Sequence, residues 1–236
     1  MKVRSNPGRT AGLLYLCLLG APLRLIYIPK TLIVPGDAAA TASNIASHET
    51  LFRLGIFFDL VTGTMSIFLM LALYRLFKGI DKELAVLMVI LGAFMVTPIY
   101  FLNTLNDVAA LMFARGAEFL AVFEKPHREA FTMLFLRLHD HGVLVNEVFW
   151  GLWLLPLGIL SYRSHFIPRF IGVWLMINCF AYLAMSVTGI LFPAYQETVG
   201  TVVFPFTFGE LALILWLIIR GARPPVISNA PAVLAH

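Results

Sequence analysis

Residues 51–77 read LFRLGIFFDLVTGTMSIFLMLALYRLF, an apolar run whose only acid is Asp59. As a helix it is long enough to cross the roughly 30 Å hydrocarbon core of a bilayer. Working outward, comparable runs are expected to span at 11–34, 84–106, 138–162, 170–192 and 202–220. The chain is 60% hydrophobic and only 13% charged, where a soluble domain has about 45–50% apolar and about 25% charged residues. A water-soluble fold of this length could not hide that much apolar surface. The expected fold is therefore all-α, a polytopic transmembrane helical bundle of about six spanning helices. It forms one domain over 11–221, between a polar segment at 1–10 and a disordered tail at 222–236.

The connections are read from composition. Residues 35–50 are small and polar, and read as a loop; 78–83 and 164–169 are short charged turns, and 193–200 is a second loop. Pro98 interrupts the third span, which membrane helices tolerate when neighbours satisfy the freed carbonyl. Residues 107–129 mix Arg115, Glu118, Glu124 and Lys125 with apolar side chains and read as an outer interfacial helix plus loop. The fourth run extends back to residue 130 and would be about 50 Å long as a helix, so its start should project beyond the hydrocarbon. The first run is longer than a signal-peptide core and lacks a clean cleavage site, so an uncleaved span is expected.

Charge sets orientation. The segments assigned to the cytoplasm hold Lys2, Arg4, Arg9, Arg75, Lys78, Lys82, Arg163, Arg169, Arg220 and Arg223 against only Asp81 and Glu83. Elsewhere acids outnumber bases. By the positive-inside rule both termini are cytoplasmic, in a bacterial cytoplasmic membrane. A seventh span at 108–123 would put the 163–169 turn outside. The net charge of +4 thus reflects topology, and no basic stripe interleaved with aromatics points to nucleic acid. Cys17 and Cys179 both lie in apolar runs and read as small packing residues.

Ionisable groups at bilayer depth are costly and face the bundle interior. At about 100° per residue, the second span puts Gly55, Asp59, Thr62, Gly63 and Ser66 on one face. The third aligns Gly92, Val96, Asn103, Asn106 and Asp107; the fifth aligns Trp174, Asn178, Tyr182, Met185 and Gly189. The sixth aligns Val203, Thr207, Glu210 and Leu217, and the first Cys17, Gly20, Arg24 and Tyr27. Counting from the cytoplasmic ends, Glu210 sits about 15 Å up, Arg24 and Glu147 about 20 Å, and Asp59 about 24 Å. Arg24 is the one strong base at that depth, and is expected to pair with Asp59 or Glu147.

The fourth span carries the densest polar group: Arg137, His139, Asp140, His141, Asn146 and Glu147. His139 and His141 lie about 160° apart around a helix, so they cannot act together as a metalloprotease-like pair. Asp140 and Glu147 share a face. No metal or cofactor is expected. The weaker alternative is a metal on His139 or His141 with Asp107, or with His48 completing it.

Three stretches carry a resemblance: LFRLGIFFDLVTG (51–63), LLPLGILSYRSHFIPRFIG (154–172) and GELALILWLIIRG (209–221). Their YRSxxIPR turn and ELxLxxWL end resemble a widespread group of bacterial multi-pass membrane proteins catalogued only as a domain of unknown function. The resemblance implies fold and location and carries no mechanism.

GxSxG, P-loop, GxGxxG, HExxH and CxxC motifs are absent. The first functional expectation is an outward-facing polar pocket for a small amphipathic or lipid-like molecule. Its residues would be Arg24, Asp59, Asn103, Asp107, Arg137, His139, His141, Asn146, Glu147, Asn178, Tyr182 and Glu210. The second is an enzyme on a lipid or isoprenoid substrate, with Asp140 and Glu147 as acid and base. Proton or cation movement comes last, because 65–73, 150–160 and 214–219 are almost wholly apolar. Membrane lipids are the expected partners. The structural alternative is a network of ion pairs and hydrogen bonds that fixes helix packing.

Overall fold

The computed structural model describes residues 6–18 and 26–223. Every regular element among them is helical. Helix α1 (Pro7–Cys17) begins the chain, followed by the short α2 (Ile28–Leu32) and α3 (Ala38–Ser47). Then come α4 (Glu49–Phe77), α5 (Lys82–Val89), α6 (Val96–Arg115), α7 (Lys125–Arg163) and α8 (Arg169–Leu191). Helices α9 (Gln196–Val203) and α10 (Gly209–Ile219) close it. Five stretches are long and apolar enough to cross a membrane: Glu49–Phe77, Lys82–Arg115, Lys125–Arg163, Arg169–Leu191 and Pro193–Ile219. The first expected span, 11–34, falls partly outside the described residues, as does the tail beyond 223.

Lipid is the solvent this surface requires. Phe57, Phe68, Phe94, Leu105 and Phe180 each expose more than half their surface on the outside of the bundle. An apolar belt of this kind would drive a soluble protein to aggregate. The chain is a polytopic transmembrane α-bundle.

Helices α5 and α6 form one continuous span joined by a π-helical segment, Ile90–Met95. Proline at 98 has no N–H and its ring presses on the carbonyl four residues back. The wider π turn just before it absorbs that clash without breaking the span. Helices α7 and α8 pack most closely, through glycine. A Cβ on Gly158 would lie 2.8 Å from the Gly172 carbonyl oxygen, and one on Gly172 would lie 2.7 Å from Tyr162 N. Small residues at such crossings let backbones approach, which is how membrane helices gain packing without a hydrophobic driving force.

The two ends of the bundle differ in charge. At one, Arg163 Nη1 lies 3.2 Å from Asp81 Oδ2, joining the 78–81 turn to the end of α7. Asn6 Oδ1 accepts from Gly8 N and from Ala222 N, tying the start of α1 to the chain after α10. Lys78, Arg169 and Arg220 lie against the rings of Tyr74, Tyr162 and Trp216, an arrangement suited to a membrane interface. At the other end Glu49 pairs with Arg53 at 2.6 Å and Arg115 at 3.0 Å. The basic residues of the expected cytoplasmic turns thus gather at one end. Between the ends, towards Arg163, lies an apolar core that includes Leu69, Leu73, Met88, Leu157, Leu175 and Leu217, with Ser161 and Ser164 buried at its Arg163 end.

Several boundaries differ from expectation. Residues 38–47, read as loop, form α3, capped by Asp37 accepting from Ala40 N at 2.8 Å. The third span runs on to Arg115 rather than ending at 106, so 107–115 continues that helix instead of beginning a separate interfacial one. It can do so because Asp107 pairs inside the bundle and Arg115 pairs with Glu49 at its end. The loop at 193–200 is largely α9, and 3₁₀ turns at Phe204–Phe208, containing Pro205, delay α10 to Gly209. In α1 the inward face is Gly8, Ala11, Gly12 and Tyr15. Cys17, read as lying on the inward face of the first span, is exposed; Gly20 and Arg24 of that face lie outside the described residues.

Candidate intramembrane polar site

Helix α4 presents Gly55, Asp59, Thr62, Gly63 and Ser66 inward, all buried. Helix α6 presents Asn103 and Asp107, and α7 presents His139. The three faces converge. Asp107 is 0% exposed, Asp59 2% and His139 2%. His139 Nδ1 lies 3.2 Å from Asp107 Oδ1. One ligand atom from each of Asp59, Asp107 and His139 lies within 4.8 Å of the other two. Neither ring nitrogen of His139 has hydrogen-bond geometry to any described partner. Asn103 Nδ2 donates to the His139 carbonyl at 3.3 Å and fixes the α7 backbone there. Gly142 makes that approach possible, since a Cβ on it would collide with the Asn103 carboxamide.

A second cluster forms around Glu210 in the first turn of α10. The Tyr15 hydroxyl donates to Glu210 Oε2. Asn178 Nδ2 donates to Glu210 Oε1 at 3.4 Å and to the Thr207 carbonyl at 3.3 Å. This carboxylate ties α1, α8 and α10 together and has the partners a buried acid needs. Tyr100 is buried on the inward face of α6. Its ring lies 6.1 Å from Trp150, which lies 5.9 Å from Tyr182.

A cavity of about 420 Å³ opens beside the His139 cluster, between α7 and the end of α8. Its polar walls are Arg137, His139, Asp140, His141, Glu147 and Gln196; Leu144, Val143, Pro29 and Pro193 complete it. Glu147 is 6% exposed, and its Oε2 has no hydrogen-bond partner among the described residues. The Ser186 hydroxyl donates to the Leu144 carbonyl at 2.6 Å, locking α8 to α7 at the cavity wall. Arg137 and Asp140 form an exposed pair at 3.8 Å, and His141 Nδ1 contacts the Arg137 carbonyl at 2.8 Å. A larger cavity of about 580 Å³ lies between α4 and α6, lined by apolar side chains together with Arg53, Arg115 and Glu118, and shares no lining residue with these clusters.

The expected binding residues therefore fall into three groups. Asp59, Asp107, His139 and Asn103 form one cluster. Asn178, Tyr182 and Glu210 belong to the second, and Arg137, His139, His141 and Glu147 line the cavity. Asn146 is buried, with Oδ1 lacking a described partner. Arg24 lies outside the described residues. Of the possible metal ligands, His139 meets Asp107, whereas His141 and His48 are exposed and bonded locally. Asp140 and Glu147 do face one cavity. Tyr15 was missed; the Gly8/Gly12 spacing of four, a small-residue packing stripe, was the available signal for that face.

The family described as "Domain of unknown function (DUF4386)" matches residues 10–221. The chain belongs to this family. The DUF4386 match takes in α4 to α10 and so covers both clusters and the cavity. An uncharacterised protein of Archaeoglobus fulgidus is 26% identical over 117 residues, 48% of this chain and 69% of the relative's length. No solved structure matches.

Proposed function

We propose that this DUF4386 protein binds a small amphipathic molecule within the membrane, in the α7–α8 cavity, with its head group at Glu147. The observation that carries this reading is Glu147 itself. A buried carboxylate oxygen without a partner costs free energy in a low-dielectric interior. A ligand that donates a hydrogen bond, from a hydroxyl or ammonium head, removes that cost. The cavity volume suits a small molecule, and its mixed walls suit one with an apolar body. The cavity lies away from the basic end, which by the positive-inside rule supports an outward opening.

The test is thermal unfolding of detergent-purified protein with dodecylamine, a monoacylglycerol or a fatty acid. The donor-headed probes should raise Tm and the fatty acid should not; at a hundred times Kd the gain is about 2.7 kcal/mol. Glu147→Leu should abolish the response. No response from any probe, or an equal response in Glu147→Leu, contradicts the reading.

A second reading keeps the cavity and adds chemistry. Asp140 and Glu147 line the same space in different surroundings, one exposed and paired with Arg137, the other buried. Carboxylates so separated in environment can divide acid and base roles on a lipid or isoprenoid substrate. Turnover of a labelled lipid in proteoliposomes, lost in both Asp140→Asn and Glu147→Gln, tests it. Cation movement gains no support, because the Arg163 side of the described core is apolar.

A further inference from the structure

We propose that Asp59, Asp107 and His139 form a binding site for a divalent transition-metal ion. The site adjoins the cavity through His139, which lines both, and the metal reading does not require the cavity to be filled. Three helices, α4, α6 and α7, each bring one side chain of a metal-binding type to the same point, with ligand atoms mutually within 4.8 Å. All three residues are at least nine-tenths buried. Metal bonds from nitrogen and oxygen of about 2.0–2.2 Å imply ligand separations of about 3.4 Å in a tetrahedral site. The 3.2 Å between His139 Nδ1 and Asp107 Oδ1 is such a separation.

The imidazole is the independent pointer. His139 is buried in a membrane bundle, yet neither of its nitrogens hydrogen-bonds to a described group. Burying a polar ring this way is costly unless something engages it. The nitrogen faces Asp107 at short range without donating to it, which is how two ligands of one ion relate. Asp59 and Asp107 also engage other groups. That is compatible with metal binding, because a carboxylate has lone pairs enough for an ion and a hydrogen bond. Asn103 holds the His139 carbonyl, so the ring is carried on a fixed backbone.

The donor set selects the metal class. One imidazole and two carboxylates, with no thiolate, suit Zn²⁺, Mn²⁺ or Fe²⁺ rather than Cu⁺. Imidazole disfavours Ca²⁺ and Mg²⁺, which take oxygen ligands. Three protein ligands leave a coordination position for water or another small ligand, the hallmark of a reactive rather than a purely structural site.

The test is metal content of the detergent-purified full chain, by mass spectrometry of the elements, after incubation with Zn²⁺ or Mn²⁺ and removal of excess. About one equivalent is expected in the wild type. It should fall at least tenfold in His139→Ala and Asp107→Asn, and stay unchanged in His127→Ala, whose imidazole is at the surface. If the first two variants do not fold, Co²⁺ titration of the wild type decides. A visible band at one equivalent, displaced by Zn²⁺, supports the site. Wild-type protein that takes up less than a tenth of an equivalent overturns it, as does retention of metal by folded His139→Ala. Metal-free wild type together with lost stability in Arg24→Ala also overturns it, and assigns the counter-charge to a guanidinium.

Discussion

His139 Nδ1 of α7 lies 3.2 Å from Asp107 Oδ1 of α6, with both residues sealed from solvent. A single contact of this kind fixes the rotation of two membrane helices at once, because each group is costly to bury without the other. Asp107→Asn keeps the shape and removes the charge. It should lower unfolding free energy by about 1–3 kcal/mol, the usual cost of leaving a buried polar group without its partner. A double-mutant cycle with His139→Gln, read by thermal unfolding in detergent, should return a coupling of at least about 1 kcal/mol. Additive effects would mean that the two side chains do not interact.

Tyr15→Phe removes the hydroxyl that donates to Glu210 and nothing else. Leaving a buried polar group without its partner costs about 1–3 kcal/mol, so Tm should fall clearly. The exposed Arg163–Asp81 pair is a contrast. Arg163→Ala should change stability by about 1 kcal/mol or less, because solvent screens such pairs. Similar losses from both variants would show that Glu210 is not the tie described here.

Gly158→Leu and Gly172→Leu should each cost about 1–3 kcal/mol, by forcing apart helices that touch backbone to backbone. Gly142→Ala should act differently. Its added methyl displaces Asn103 from the His139 carbonyl, so it should weaken metal uptake even where the fold survives. The check is Tm and metal content measured on the same samples.

Cys17 is exposed and Cys179 buried, and both are free thiols. A small maleimide added to protein in mild detergent should modify Cys17 within minutes and spare Cys179 until unfolding. Peptide mapping reads the outcome. Modification of Cys179 first would invert the orientation assigned to α1 or α8.

Helix faces were legible in the sequence because they depend only on spacing. Gly55, Asp59, Thr62, Gly63 and Ser66 fall on one buried face of α4, as the periodicity requires. His139 and His141 likewise take opposite sides of α7, one buried and one exposed. What spacing cannot supply is partnership between helices. Depth alone grouped Arg24, Glu210, Glu147 and Asp59 in one layer. The packing adds what depth does not give: Glu210 bonds to Tyr15 and Asn178, and Asp59 lies within 4.8 Å of Asp107 and His139. The end of the third span was misread where charge was taken as a sign of leaving the membrane core. Asp107 and Arg115 stay helical because each meets a polar partner on another helix, His139 for the first and Glu49 for the second. Helix α3 was missed because its alanines and small polar residues resemble loop composition, although Asp37 before an alanine run is a helix start signal.

Native mass spectrometry of the 26.3 kDa chain, released from nanodiscs, bears most directly on the claim that the polar interior is a binding site. The wild type is expected to retain one small-molecule adduct that Glu147→Leu loses while still folded. A bare wild-type mass, or lipid adducts identical in both proteins, would contradict the account.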